Sequence, residues 1–199
     1  MEIETFDTFL RPTAVVDWDH PAVLAQARVL GGPDDAVAVA RHCFEWVRDQ
    51  IRHSIDYRLD AVTCAASEVL EHRSGFCYAK SHLLAALLRA SGIPAGFCYQ
   101  RLRVDATGDR CSLHGFNAVY LPATGWYRID ARGNRADVDA RFMPPIERLA
   151  FATTAPGEAD LPEIWTDPLP IVVETLRRHT SAQSVLNDLP DVILSGRHE

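Results

Sequence analysis

The sequence predicts an α+β fold, and three observations predict it. Helix-period stretches occupy most of the first ninety residues. Residues 96 to 130 then alternate with period two and are broken by tight turns, as antiparallel strands are. Between the two regions, Ser74-Gly75-Phe76-Cys77 reads as a glycine turn that delivers a cysteine to the first turn of an apolar helix. Helices followed by consecutive strands favour a helix layer packed on an antiparallel sheet over a doubly wound arrangement.

In chain order, residues 10 to 18 read as an entry segment with a short strand. Asp19-His20-Pro21 has the form of a helix start, with Asp19 as cap and the proline in the first turn. That helix carries Val23, Leu24, Ala27 and Val29 and ends at Gly31-Gly32. A second helix follows Pro33-Asp34-Asp35, with Val37, Ala40, Phe44, Val47 and Ile51 along one stripe. His42 and His53 read as surface or helix-end residues. Ala65 to Glu71 is a short helix. The helix opened by Cys77 carries Leu83, Leu84, Leu87 and Leu88 and stops at Ser91-Gly92, with Pro94 beyond. Three strands follow, at 96–104, 113–121 and 126–130. Asp105 to Arg110 and Pro122 to Gly125 are the turns between them. Ile171 to Arg178 reads as a helix with a basic last turn. The 199 residues suit one domain with a core of about 35–135, and 142–199 form a proline-punctuated C-terminal extension.

Hydrophobic content of 47% with mean hydropathy of −0.09 describes an ordinary globular chain. The net charge of −7 argues against a nucleic-acid or anionic-membrane partner, since both need clustered basic charge. No apolar run approaches the roughly 18 residues of a membrane helix. The N-terminus, Met1-Glu2-Ile3-Glu4-Thr5, is acidic, unlike a secretion signal. Five cysteines without a C-x-x-C pair argue against a disulfide scaffold or zinc ribbon, so a reducing cytoplasm is the expected compartment. Cys43 and Cys64 read as buried and inert. Cys98 and Cys111 lie on neighbouring strands, close enough in the predicted pairing to approach each other, and two unpaired thiols are expected ahead of a disulfide.

Cys77 is the candidate nucleophile. A cysteine at a helix N-terminus faces free backbone N–H groups and the positive end of the helix dipole, which favour a negative sulfur. The same N–H groups can hold an oxyanion that develops beside it. His114 opens the second strand and Asp130 ends the third. They stand seven residues before Leu121 and five after Gly125, so the hairpin brings their open ends together. If the Cys77 helix packs against that end, imidazole takes the thiol proton and the carboxylate holds the imidazole. His82, nearly one and a half turns beyond Cys77, points away from the sulfur.

The ordered set Gly75-Phe76-Cys77, Leu87-Leu88-Arg89-Ala90-Ser91-Gly92-Ile93-Pro94-Ala95, His114 to Tyr120 and Gly125-Trp126-Tyr127-Arg128-Ile129-Asp130 resembles the transglutaminase-like superfamily. The resemblance covers about residues 40 to 135. It implies a cysteine-proteinase fold with Cys77 as nucleophile, His114 as base and Asp130 as orienting acid. Phe116 stands where the family commonly has tryptophan, and Asn117-Ala118-Val119 lacks its usual glutamate; neither change removes a catalytic atom. By position the family's upstream oxyanion group would be Tyr57, beside the backbone N–H of Cys77, and Tyr57 also reads as an aromatic packed under the helix. The resemblance implies no metal or organic cofactor, and no D-x-D-x-D calcium loop occurs. The implied activity is hydrolysis of a peptide-like amide through a thioester. Two alternatives stand beside it, a catalytically silent interaction module and acyl transfer to a small amine as in the arylamine acetyltransferases.

Overall fold

Twelve consecutive residues of one helix, Tyr78 to Arg89, are buried. A helix buried on every side sits inside the molecule, and the rest of the chain is layered about this one. The computed structural model describes residues 3–32, 35–104 and 110–192. Its elements are α1 (Ile3–Thr8), α2 (Pro21–Gly31), α3 (Ala36–Gln50), β1 (Arg52–His53), α4 (Ala66–His72), β2 (Ser74–Gly75), α5 (Cys77–Ala90), β3 (Ala95–Arg103), β4 (Cys111–Leu121), β5 (Gly125–Ile129), β6 (Arg141–Met143), β7 (Ile146–Arg148), β8 (Ala159–Asp160), α6 (Pro170–Arg178) and α7 (Ala182–Asn187). The turn expected at 105–109 lies outside the described residues.

Strands β5, β4, β3 and β8 form one antiparallel sheet in that order. Alternation divides its residues between two faces. Phe97, Tyr99, Val119, Leu121, Tyr127 and Ile129 join α2 to α5 in the main core. Cys98, Phe116 and Ala118 form a smaller cluster under Trp126, Leu149 and Ile164. The predicted α+β layering is the observed one.

Most polar groups on α5 are bonded where they are buried, as burial requires; His82 Nε2 is an exception. Lys80 Nζ donates to the carbonyls of Ile51 and Arg48, at the C-terminal end of α3. Ser81 Oγ donates to Tyr78 O at 2.6 Å. His82 Nδ1 meets Cys64 O at 2.7 Å. Arg89 donates to Ala95 O, Arg11 O and Thr166 O. Asn117 Nδ2 ties the sheet to α5 through Ser81 O at 3.0 Å and also donates to Gly96 O of β3 at 3.1 Å.

Several expectations are corrected. No strand forms at 10–18: Thr13 Oγ1 accepts from Val16 N at 2.9 Å and Thr13 N donates to Val16 O, which closes a turn instead. His20, not Asp19, caps α2, with Nδ1 accepting from Ala22 N at 3.3 Å. Val29 is 78% exposed, so the buried stripe of α2 is Val23 and Ala27. Cys111 pairs with Arg103, five residues along β3 from Cys98, so the two do not face each other; both thiols are free, as expected. His53 is buried rather than a surface residue. Tyr57 is 60% exposed under the Arg52 guanidinium, not packed beneath α5.

The C-terminal part belongs to the same layers. β8 extends the sheet beside β3, and Trp165 exchanges backbone bonds with Phe97 at 2.8 and 2.9 Å. α6 buries Val172 and Leu176, and its Arg177 reaches Glu68 of α4 at 2.6 Å. No described helix is long and apolar enough to cross a membrane.

Candidate active site

The glycine turn places Cys77. β1 and β2 pair in parallel over two residues, His53 opposite Gly75. A Cβ on Gly75 would stand 2.9 Å from Ala79 Cβ and 3.0 Å from Thr63 Oγ1, so only glycine lets the chain turn this tightly into α5. Phe76 is the N-cap and has no side-chain acceptor to offer. The N–H groups of the first turn therefore keep their capacity for an anion at the sulfur. Across the helix, a Cβ on Gly115 would stand 2.9 Å from the Tyr78 ring, and Tyr78 Oη donates to Leu113 O. The absence of a side chain at Gly115 is what lets the start of α5 lie against the open end of β4.

Pairing between β4 and β5 runs from Leu121↔Gly125 to Asn117↔Ile129. Asp130 is the next residue, on the face that carries Phe116 and His114. His114 Nε2 and Asp130 Oδ2 are 2.7 Å apart, with both residues buried. Cys77 lines the same cavity as His114 and acts on the imidazole electrostatically. Phe116 stacks on the imidazole at 5.9 Å between centroids, and Phe151 meets it edge-on at 5.0 Å. Asp130 also accepts from Arg132 N on Oδ1 and from Ala150 N on Oδ2, each at 3.0 Å.

Burial works against charge on both partners, and the pair overcomes it. His114 is pushed up to about 10: burial opposes the cation, but Asp130 and Cys77 outweigh it by charge and hydrogen bonding. Burial raises the Asp130 carboxyl, yet the charge of His114 and its three hydrogen bonds leave it below its ordinary value. Elsewhere in the core, burial holds thiols neutral. Burial drives Cys43 and Cys98 up to about 12 and Cys64 to about 11.

A cavity of about 520 Å³ opens over Cys77 and His114. Its walls include Leu102, Val104 and Leu113 from the strands, with Leu186 and Leu189 from the C-terminal segment. Segment 150–152 also borders it. Tyr57 does not line it, which corrects its placement as the upstream partner of Cys77. His53 and Arg132 do line it; the sequence places His53 at the surface or a helix end and does not single out Arg132. Arg132 pairs bidentately with Asp56, at 2.6 and 3.0 Å, and Arg135 adds a third bond at 2.9 Å. Nothing periodic marked His53, because the β1–β2 pairing that places it is two residues long; its nearness to Gly75 emerges from that register alone.

Two histidines are held neutral by burial. His53 is pushed down to about 3, by burial and then by the Arg132 charge, and His82 to about 4, by burial. In the unfolded chain both take a proton near 6.5. The folded form thus gives up stability as pH falls from about 6.5 toward 4. The urea midpoint is expected to drop over that range, and His82→Gln, which cannot titrate, should show a shallower drop. An equal slope in the two proteins would contradict this account.

A model of the transglutaminase-like superfamily matches residues 24–131. No curated protein matches the chain. Among solved structures, a candidate cysteine protease from Cytophaga hutchinsonii is similar at TM-score 0.52 and 20% identity, over 64% of this chain and 42% of that one. The periplasmic domain of TgpA from Pseudomonas aeruginosa is similar at TM-score 0.51 and 21% identity, over 66% of this chain and 48% of that one. The chain thus covers less than half the length of either solved structure, and at these identities the likeness is one of fold. The family match takes in the Gly75–Cys77 turn, α5, His114 and Asp130, and on it the chain belongs to the transglutaminase-like superfamily.

Proposed function

We propose that the chain is a cysteine-dependent acyl-transfer enzyme that hydrolyses a peptide-like amide through a thioester, with Cys77, His114 and Asp130 as its catalytic residues. The observation that carries this reading is that Cys77, at the start of α5, shares a cavity with a buried imidazole that stands 2.7 Å from a carboxylate. The Cys77 sulfur attacks the substrate carbonyl carbon, and the carbonyl π pair moves to oxygen. That oxyanion lies toward the N–H groups at the start of α5. When it collapses, the C–N bond breaks and His114 gives its proton to the leaving nitrogen. Water then attacks the thioester, His114 takes a proton from it, and the acid leaves as the sulfur regains its electron pair. Asp130 holds the imidazole and offsets its positive charge throughout.

The cavity supports a short substrate. Its volume of about 520 Å³ falls within the ~300–1,000 Å³ usual for small-molecule sites. The same bounded volume favours a second reading, acyl transfer to a small amine. An amide product that appears only with added amine would distinguish it from hydrolysis. A reducing compartment is proposed on the strength of the five free thiols.

Alkylation with iodoacetamide across pH 5 to 9, with the labelled cysteine mapped by mass spectrometry, tests the nucleophile. Cys77 is expected to react first at low pH and to lose that lead in His114→Ala. Labelling of Cys77 no faster than Cys111, or unchanged by the substitution, would remove the catalytic reading and leave an interaction module.

A further inference from the structure

His53 stands between two cavities. One is the cavity over Cys77, and the other, of about 150 Å³, is lined by Asp56, Lys80 and Gly133. Register fixes its position: His53 pairs with Gly75, two residues before Cys77, and Ser54 N donates to Gly75 O at 3.1 Å. Its ring packs edge-on against Phe76 at 6.0 Å. The two ring nitrogens differ. Nδ1 is buried without a hydrogen-bond partner and lies 3.8 Å from Asp56 Oδ2. Nε2, on the opposite edge of the ring, is not among the buried unpaired atoms, and His53 is part of the wall of the cavity that also holds Cys77 and His114.

The charges around the ring select a tautomer. Asp56 is anionic and faces Nδ1. A lone pair on Nδ1 would point at that carboxylate, whereas an N–H there is attracted to it. Arg132, Lys80 and His114 oppose a second proton on the ring. The imidazole is thus neutral, with its proton on Nδ1 and a lone pair on Nε2.

We propose that His53 Nε2 is a substrate-binding acceptor for the N–H of the amide, so that the site selects primary and secondary amides over substrates that lack an N–H. This rests on the reading of Cys77 as nucleophile and extends it to the substrate class. An acceptor beside the scissile nitrogen holds the amide plane across the sulfur while the carbonyl oxygen turns toward the α5 N-terminus. Esters and N,N-disubstituted amides would cover Nε2 without offering it a donor, which a hydrogen-bonding pocket disfavours.

The test uses two alkylating reagents with the same leaving group, 2-chloro-N-methylacetamide and 2-chloro-N,N-dimethylacetamide. Cys77 labelling rates are measured with each, and their ratio is divided by the same ratio for a small free thiol. A normalised preference of about three- to tenfold for the N–H reagent is expected in the native chain, the worth of one hydrogen bond. His53→Leu should bring it to one, and His53→Gln, which restores a neutral acceptor, should recover part of it. A ratio of one in the native chain overturns the proposal without any variant, and so does a preference that survives His53→Leu. A donor to the carbonyl oxygen would act on both reagents alike and leave the ratio at one. Fast, His114-dependent labelling with a ratio of one removes the His53 assignment alone. Slow labelling that ignores His114 removes the nucleophile reading and this inference with it.

Discussion

Asp130→Asn is expected to lower Cys77-dependent turnover by about 10⁴-fold while the protein stays folded. The substitution keeps the volume of the side chain and removes its charge. Asp130 Oδ2 now accepts from His114 Nε2 and from Ala150 N, and Oδ1 from Arg132 N. An asparagine that keeps one oxygen toward those backbone donors turns its amide NH₂ toward Nε2. The imidazole proton then moves to Nδ1, the edge that must accept the thiol proton, and the base is lost. Turnover of an amide cleaved by the native chain, together with the His114 titration by NMR, measures both parts. His114 should titrate well below the roughly 10 of the native protein. Undiminished turnover in a folded Asp130→Asn would sink the assignment.

The same pair makes a stability prediction with a definite sign. The folded-state value of His114 is raised above that of the unfolded chain. Its contribution is therefore fully present below about pH 6.5 and is lost as pH rises through about 10. The stability lead of the native chain over Asp130→Asn should narrow across that window.

Arg89→Met is expected to destabilise the fold by about 3 kcal/mol without touching the site chemistry. The Arg89 guanidinium is buried at the far end of α5 and is held by carbonyls. It donates to Ala95 O at 3.1 and 2.8 Å, to Arg11 O at 2.9 Å and to Thr166 O at 2.5 Å. These belong to three segments: the start of β3, the N-terminal entry loop and the connection before α6. Methionine fills much of the space but strips its donors from the Ala95 carbonyl, which is buried, and from the part-buried carbonyls of Arg11 and Thr166. Lysine would not substitute well, since one ammonium cannot reproduce the planar fork. A urea titration measures the loss. A Cys77 alkylation rate unchanged in buffer where both proteins are folded would separate this effect from that of Asp130. A midpoint within about 0.5 kcal/mol of the native value would contradict the role given to Arg89.

Much of the architecture was legible because it is written in local periodicity. The buried run from Tyr78 to Arg89, the alternation of Phe97, Tyr99, Val119 and Leu121, and the tight β4–β5 turn each reflect residue types at fixed spacing. The hairpin argument that set His114 near Asp130 needed the turn length alone, and the observed register agrees with it. The ordered family motif supplied Cys77 as their partner. The entry segment was misread because its Val15-Val16 pair resembles strand, while the Thr13 hydroxyl closes a turn that no periodicity announces.

What tertiary structure alone decided is the wall of the site. His53 is a polar residue at a helix end in the sequence, and a two-residue parallel pairing makes it part of the cavity. Tyr57, four residues on, lies outside it. Arg132 becomes a buried cation because Asp56, 76 residues earlier, meets it. Leu186 and Leu189 reach the cavity from the end of the chain, where Pro190 O accepts from Leu113 N at 2.7 Å. Such contacts join residues far apart in sequence through backbone bonds and charge pairs that impose no repeat on either segment. The sequence by itself determined the helix, the strands and the catalytic candidates they carry, and long-range packing decided what surrounds them.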